Sequence, residues 1–283
     1  MKPAQTGGPD YDARIRRAGH LTSAYPFAAE VLAFYVRLAT FQRNFYVKIR
    51  GSSGVPGIMT AEGQLRSELK LGNLLGQFPE FLALLGNAGP APVAEAARAI
   101  GEQSREQWTQ LLTDFWTFGG RADSETEIEN SGAEPLEEFV LRAFLQPHAE
   151  FLGARISNSP LASSPRVCPR CGSAPLLGVL RPEGDGGKRC LLCSFCLQEW
   201  DFRRIYCAAC GEEDEKKLPV YVAEQFPHVR VESCDTCKFY LRTIDLTKDG
   251  NAVPIVDDLA AIPLSLWAHE HGYSRVQPNL LGT

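Results

Sequence analysis

Cysteine is the residue type in this sequence whose spacing most clearly indicates chemistry. All nine cysteines of the 283-residue chain lie between Cys168 and Cys237, and eight of them form four Cys-x-x-Cys steps. The steps are Cys168/Cys171, Cys193/Cys196, Cys207/Cys210 and Cys234/Cys237. About 21 residues separate the first two steps and about 23 separate the last two, close to the spacing of paired metal-binding turns. We therefore predict two four-cysteine metal sites, each formed by two consecutive steps.

The predicted sites are closed to substrates. Two Cys-x-x-Cys turns can place four sulfur atoms around one ion in a tetrahedron, the geometry of structural Zn²⁺ and of rubredoxin-like iron. Both ions accept the same ligands, so the spacing favours neither iron nor zinc. Since cysteines fill every position, no position remains for water or a substrate. We therefore expect structural or redox-active sites, and the sequence predicts no catalytic residue.

Cys190 is the odd thiol of the group. It could replace Cys193 as the partner of Cys196, or it could pair with Cys193 and leave Cys196 free. We favour the Cys193/Cys196 step, because Trp200 and the strand that follows then begin at the right distance from the turn. Cys190 is then a thiol beside the site and not a ligand.

Composition limits the classes of partner. The net charge is −5 and the pI about 5.6, and the segment after Cys210 is rich in glutamate, which disfavours nucleic acid. Apolar runs are too short for a membrane span. The first residues lack the apolar core of a secretion signal, so a cytoplasmic protein with reduced thiols is expected and disulfides are disfavoured. The oligomeric state, monomer or homodimer, is left open.

The amino-terminal half, residues 1–160, is predicted to be an all-α domain. Residues 1–20 are polar, and we expect a flexible arm with a solvated arginine cluster. A long helix is predicted from about residue 26 to 47, followed by a break at Gly51–Gly57. Further helices are predicted over 65–75, 78–85, 93–101, 103–118 and 136–156, with Pro147 kinking or interrupting the last. No catalytic motif is found here, and the aromatic stripes are interpreted as core.

Ser157–Pro165 is a polar linker, after which we predict two tandem rubredoxin-like or zinc-ribbon modules. The first module is predicted over 165–206, the second over 207–250, and a carboxyl-terminal helix and tail over 251–283. Strands are predicted over 176–180, 189–192, 197–206, 220–223, 228–232 and 239–246. The closing helix is predicted over 256–270, with Asp257 and Asp258 favourable for the dipole at its start. The fold class is therefore multidomain, α plus small β.

Sequence motifs around the cysteines carry a family resemblance. They are Cys-Pro-x-Cys-Gly-Ser-x-Pro at 168–175, Cys-Ser-x-Cys-x-x-Glu-Trp at 193–200, Cys-x-x-Cys-Gly at 207–211 and Glu-Ser-Cys-Asp-Thr-Cys-Lys-x-Tyr-Leu at 232–241. Asp257–Ala260 and Glu270–Arg275 extend the match. Over roughly residues 165–283 the chain resembles the FdhE family of formate dehydrogenase accessory proteins.

The resemblance implies a cytoplasmic assembly factor that acts on the catalytic subunit of a respiratory formate dehydrogenase before export. It also implies rubredoxin-like iron binding through the cysteine motifs, and no formate-oxidising activity of the protein itself. Two other hypotheses remain. One is a redox protein whose iron exchanges electrons during metalloenzyme maturation, and the other, disfavoured by the acidic charge, is a zinc-ribbon protein that binds nucleic acid.

Overall fold

The computed structural model describes residues 8–52, 64–120, 135–156, 165–184 and 186–279. Most of the predicted break at Gly51–Gly57 and of the linker Ser157–Pro165 lies outside these residues. Within them, the amino-terminal half is helical, as predicted. Its helices are α1 (Tyr11–Ala24), α2 (Ala29–Ser52), α3 (Leu71–Leu74), α4 (Phe78–Ala88), α5 (Ala91–Gly101), α6 (Arg105–Phe118) and α7 (Pro135–Gly153).

Local sequence explains where several of these helices begin. The Asp10 side chain accepts a hydrogen bond from the Ala13 N–H at 2.8 Å and so caps α1. Ser104 and Gln107 form a reciprocal capping box at the start of α6. α7 continues through Pro147 to Gly153 and is buried from Phe139 onward, so it is the central helix of this half. Of the two predicted effects of Pro147, the interruption of the helix was wrong, and the kink stays a prediction.

Helix α1 corrects the prediction of a flexible arm over residues 11–20, whereas residues 1–7 of that predicted arm lie outside the described residues. Arg16 is exposed, as predicted, but Arg14 is buried and donates two hydrogen bonds to the buried Glu150 carboxylate at 2.6 and 3.0 Å. Tyr11 donates a third to the same carboxylate. On another face, Arg17 pairs with Asp257 at 2.5 Å and Asp249 at 2.7 Å. Ion pairs with distant carboxylates hold this helix, and no apolar periodicity reveals them.

The carboxyl-terminal half contains one continuous sheet. Its strands are β1 (Pro175–Glu183), β2 (Gly186–Cys193), β3 (Glu199–Asp201), β4 (Val220–Val222), β5 (Val229–Ser233), β6 (Phe239–Asp245) and β7 (Ser274–Arg275). Their order is β3-β2-β1-β6-β5-β4, with β7 paired to β6. Two antiparallel hairpins, one from each predicted module, are joined by the parallel pair β1 and β6. The predicted modules therefore share a sheet.

A glycine permits the parallel pairing of the two hairpins. Gly178 faces Thr243 in the register of β1 and β6, and a Cβ atom at residue 178 would lie 2.2 Å from Thr243 Oγ1. The strand predicted over 197–206 is limited to β3. Beyond it, Arg189 Nη1 donates to the carbonyl oxygens of Arg203 and Tyr206, which draws this segment out of the ladder.

The predicted closing helix is two helices, α8 (Pro254–Ala260) and α9 (Ile262–Glu270). Pro263 has no N–H to continue the hydrogen bonding of α8, so the chain turns at Ala261. The carbonyl of Ala261 instead accepts a hydrogen bond from Arg242 at 2.7 Å. α8 packs against α1 and α2 in a small apolar core, so the predicted carboxyl-terminal segment contacts the helical half as well as the sheet.

Candidate metal centres

The four Cys-x-x-Cys steps fold into turns of the same geometry. In each turn the N–H of the first cysteine donates to the carbonyl five residues later. The four bonds are Cys168 to Ser173 at 2.9 Å, Cys193 to Gln198 at 3.0 Å, Cys207 to Glu212 at 2.9 Å and Cys234 to Phe239 at 2.9 Å. The residue after the second cysteine has a positive φ in every case: Gly172, Leu197, Gly211 and Lys238. Each ribbon thus combines one glycine turn with one turn that tolerates a larger side chain.

The structure brings Cys168, Cys171, Cys193 and Cys196 together as the first cluster. Their sulfur atoms all lie within 4.8 Å of one another, and three separations are 3.6, 3.4 and 3.7 Å. Four sulfur atoms bound at about 2.3 Å to one ion would be about 3.8 Å apart, whereas a disulfide is about 2.0 Å long. The N–H groups of Phe195 and Cys196 point at Cys193 Sγ, at 3.3 and 3.4 Å. The donor set therefore fits a tetrahedral metal ion.

The second cluster contains Cys207, Cys210, Cys234 and Cys237. It has the same dimensions, with Cys207 Sγ 3.8 Å from Cys237 Sγ and Cys210 Sγ 3.7 Å from Cys234 Sγ. The N–H groups of Ala209 and Cys210 point at Cys207 Sγ. Its burial differs from that of the first cluster, because Cys210 is exposed and Cys237 is partly exposed. Each cluster could bind one metal ion.

The protein environment raises the pKa of most of the thiols it shifts. Burial raises the pKa of Cys168 and of Cys196 well above the ordinary value, and it raises the pKa of Cys207 to about 11. Cys171 differs: burial raises its pKa, but hydrogen bonds from the other three thiols of the cluster outweigh burial and hold it well below the ordinary value. Binding of a cation to such a cluster would release thiol protons.

Cys190 lies on β2 outside both clusters. Its Sγ atom is 3.8 Å from Asp201 Oδ1, on the neighbouring strand β3. Burial, together with the negative charges of Glu199 and Asp201, raises its pKa to about 12. The thiol is therefore protonated at neutral pH and a poor nucleophile.

The first cluster is built into the contact between the helices and the sheet. Its cysteines share one apolar core with Phe115, Trp116 and Phe144 of the helical half. At the end of α7, Gly153 permits close approach of the second turn, since a Cβ there would lie 3.3 Å from Cys196 Cβ and 2.8 Å from Gln198 Cγ. Arg66, which no sequence motif indicated, donates to the Cys171 carbonyl.

Asp257 and Asp258 were predicted to interact favourably with the helix dipole, but both also form specific ion pairs. Asp257 is buried and accepts hydrogen bonds from Arg17 of α1, while its Oδ1 lies 2.9 Å from His228 Nε2. Asp258 is fully buried between Arg242 and Arg275, both at 2.8 Å, and it also accepts from Asn279. Although burial raises the pKa of Asp258, these two arginines lower it more. The two carboxylates therefore fasten α8 to the sheet and to α1.

His228, Asp249 and Asp257 also lie close enough together to be considered as metal ligands. Arg17 already donates to both carboxylates of this group. Its guanidinium supplies the positive charge there, so we interpret the group as an ion-pair network.

As for membrane association, no helix in the described ranges has the length and apolar character to cross a bilayer.

Comparison with known proteins places this chain beside one family. Residues 167–204 match the model for "FdhE, central domain", and residues 205–281 match "FdhE, C-terminal domain". A "Protein FdhE homolog" of Aquifex aeolicus is 25% identical over 277 residues, covering 95% of this chain and 94% of that protein. A homolog of Pseudomonas aeruginosa is 38% identical over 122 residues, covering 41% of this chain and 39% of that protein.

A solved structure has the same fold over almost the whole chain. It is the crystal structure of the FdhE protein from Pseudomonas aeruginosa, with a TM-score of 0.69 and 23% sequence identity, and the match covers 98% of each chain. The likeness extends to the helical half, for which the sequence offered no motif.

Proposed function

Since this chain belongs to the FdhE family, we propose that it is an accessory protein for the assembly and activation of a respiratory formate dehydrogenase. In this role it binds the catalytic subunit of the dehydrogenase in the cytoplasm and catalyses no reaction itself. The observation that carries the proposal is the pair of closed four-cysteine clusters within the FdhE-like region. A closed cluster leaves no position for a substrate, which suits a binding protein better than an enzyme.

We assign all eight clustered cysteines as metal ligands, four to each of two ions. The ion is iron or zinc. Zinc would supply structural rigidity, whereas iron would in addition allow one-electron exchange. The turn N–H groups that point at Cys193 and Cys207 stabilise negative charge on those sulfur atoms with either ion. Together the two ribbons and the helical half form the docking surface for the dehydrogenase subunit.

The test is deletion of the gene in a host that makes a respiratory formate dehydrogenase. Dehydrogenase activity should be lost while immunoblots still detect the dehydrogenase subunits, because the defect is in activation and not in synthesis. Full activity in the deletion strain would refute the proposal.

Binding can be tested separately by capturing the catalytic subunit on the tagged protein. The Cys168→Ser/Cys171→Ser and Cys207→Ser/Cys210→Ser variants should each capture less subunit than the native protein. Cys190→Ser is the matched control, since Cys190 is a buried thiol outside both clusters. Equal capture by all four proteins would show that docking of the subunit does not depend on the metal sites.

A second candidate is a redox protein in which iron exchanges electrons during metalloenzyme maturation. The observation in its favour is the exposure of Cys210, since a surface ligand gives a partner close approach to the ion. Protein purified without oxygen should then be coloured and contain iron, and its ferric form should be reduced reversibly. Colourless protein with two zinc ions per chain would refute this candidate and leave the accessory role intact.

A further inference from the structure

Arg66 connects the first cluster to the end of helix α6. It lies in a short 3-10 helix, Gln64–Ser67, and its carbonyl accepts a hydrogen bond from Trp116 Nε1 at 2.8 Å. Its guanidinium donates to the carbonyls of Phe115 at 3.1 Å and Gly119 at 2.8 Å, and also to that of Trp116. The last turn of α6 has no basic residue of its own. Arg66 therefore supplies the cation that the carbonyls of this helix end favour.

The same guanidinium also contacts the first turn of the cluster. Its Nε donates to the Cys171 carbonyl at 3.1 Å, and its Nη2 donates to Ser173 Oγ at 2.7 Å. Ser173 Oγ is 3.4 Å from Cys171 Sγ. When Cys171 is a metal-bound thiolate, its sulfur can only accept a hydrogen bond. The Ser173 hydroxyl then donates to that sulfur while its oxygen accepts from Arg66.

Arg66 contacts the second turn of the cluster through an aromatic ring. The guanidinium carbon lies 4.5 Å from the centre of the Phe195 ring. Phe195 is fully buried between the two cysteines of its turn, packs against Phe115 and Trp116, and donates its N–H to Cys193 Sγ. One side chain thus contacts both halves of the metal site and the end of a helix in the other half of the protein.

We infer that Arg66 is a positioning residue for the first metal site and couples occupation of that site to the order of the last turn of α6. The inference rests on the proposed metal binding. A bound ion holds the two turns in one arrangement, which keeps the Cys171 carbonyl, Ser173 and Phe195 in place around Arg66. Without the ion the two turns lose the centre that they share, and Arg66 loses its fixed contacts with the Cys171 carbonyl, Ser173 and Phe195, which weakens its hold on the α6 carbonyls.

The first experiment measures zinc release from the full-length protein to excess 4-(2-pyridylazo)resorcinol. The phase that belongs to the first cluster is identified as the one that persists in the Cys207→Ser/Cys210→Ser variant. In Arg66→Met this phase should be about 10–100-fold faster, the usual effect of removing a group that supports a metal ligand. Arg98→Met is the matched control, because Arg98 also donates to a helix-end carbonyl, that of Gly86, but touches neither cluster.

The second experiment follows hydrogen exchange over residues 105–119 with and without zinc. In the native protein, exchange at the end of α6 should increase when zinc is removed. In Arg66→Met it should be fast in both states, and Arg66→Lys, which keeps the charge but not the forked geometry, should lie between them. The same zinc-dependent change in Arg66→Met as in the native protein would overturn the inference.

Two further results keep the test decisive. If Arg66→Met does not fold, Ser173→Ala removes the hydroxyl between Arg66 and Cys171 with little loss of packing, and it too should accelerate zinc release from the first cluster. Unchanged release in Ser173→Ala would refute the inference. Native protein with fewer than two metal ions per chain, counting iron and zinc together, would contradict the proposed metal binding, whereas two ions with release independent of Arg66 would contradict only the coupling.

Discussion

The first four-cysteine cluster lies inside the largest apolar core of the protein, whereas the second lies at the surface with Cys210 exposed. The backbone of the two clusters is nevertheless the same, down to the hydrogen bond from each leading cysteine to the residue five positions later. The comparison shows that local sequence determines the geometry of the turns, while tertiary packing determines what each cluster does for the protein. We interpret the first as a joint between the two halves and the second as a site that partners and solutes can reach.

Loss of each cluster in turn should separate these roles most strongly. Cys168→Ser/Cys171→Ser should prevent folding of the two halves as one cooperative unit, because a structural zinc site contributes on the order of 10 kcal/mol, comparable to the stability of a whole domain. Cys207→Ser/Cys210→Ser should leave the helical half and the first cluster folded. Thermal unfolding by circular dichroism, with limited proteolysis of both variants, measures the difference. Equal damage in the two variants would show that the clusters are structurally equivalent.

The order of metal release should follow the order of burial. A chelator added to zinc-loaded native protein should remove one ion at least about ten-fold faster than the other, because it can reach Cys210 and Cys237 but not the first cluster. The fast phase should be absent from Cys207→Ser/Cys210→Ser. Release of both ions in a single phase would mean that exposure of the second cluster has no kinetic consequence.

Cys190 is a buried thiol that belongs to neither cluster. It therefore shows what burial, without a metal ion, does to the pKa of a thiol. Its pKa is raised from 9.0 to about 12 in the folded protein. The stability that results is fully present below pH 9 and is lost as the pH rises toward 12, by at most about 4 kcal/mol. Urea unfolding of metal-loaded protein between pH 8 and 11 should show this loss. Cys190→Ala should lose less stability over this pH range than the native protein. If the stability of both proteins changed with pH in the same way, the raised pKa of Cys190 would be contradicted.

The smallest effects are expected at the positive-φ positions of the turns. Gly172→Ala should destabilise the protein by about 1–2 kcal/mol, because a Cβ is unfavourable at a φ of +72°. Lys238→Gly should change stability in the opposite direction by less than about 1 kcal/mol, since Lys238 already has a φ of +61° in the more exposed cluster. Urea unfolding midpoints of the two variants test the opposite signs. A destabilised Lys238→Gly would show that the lysine side chain matters more than its backbone strain.

The cysteine spacing predicted the parts of the fold that are local in sequence. The turns and the hairpins β1–β2 and β4–β5 lie where they were predicted, because each is specified by residues close together in the chain. The parallel pairing of β1 with β6 was not predicted, since it joins Gly178 to Thr243 across another hairpin and depends on the absence of a side chain at residue 178.

Charged residues explain most of the other differences. Arg14 and Arg17 were predicted to be solvated, and no motif indicated Arg66, yet each is held by groups far away in sequence: Glu150, Asp257 and the Cys171 carbonyl. The pattern of apolar residues carries no information about such pairs, because a polar residue in the pattern is assigned to the solvent-exposed face whether or not it is buried in an ion pair. The same limit applies to Asp257 and Asp258. Their position near the start of a helix could be explained by the helix dipole, so the sequence offered no reason to look for ion pairs.

The ion pair between Arg17 and Asp257 has a consequence for biosynthesis. The two residues are 240 positions apart, so at 5–20 residues per second the ribosome adds Asp257 roughly 10–50 seconds after Arg17. During that interval α1 has no carboxylate from α8 to hold it. A chain that terminates before residue 257 therefore lacks the contact between α1 and the carboxyl-terminal half, and its first helix is held by the hydrogen bonds of Tyr11 and Arg14 to Glu150 and by packing on α2.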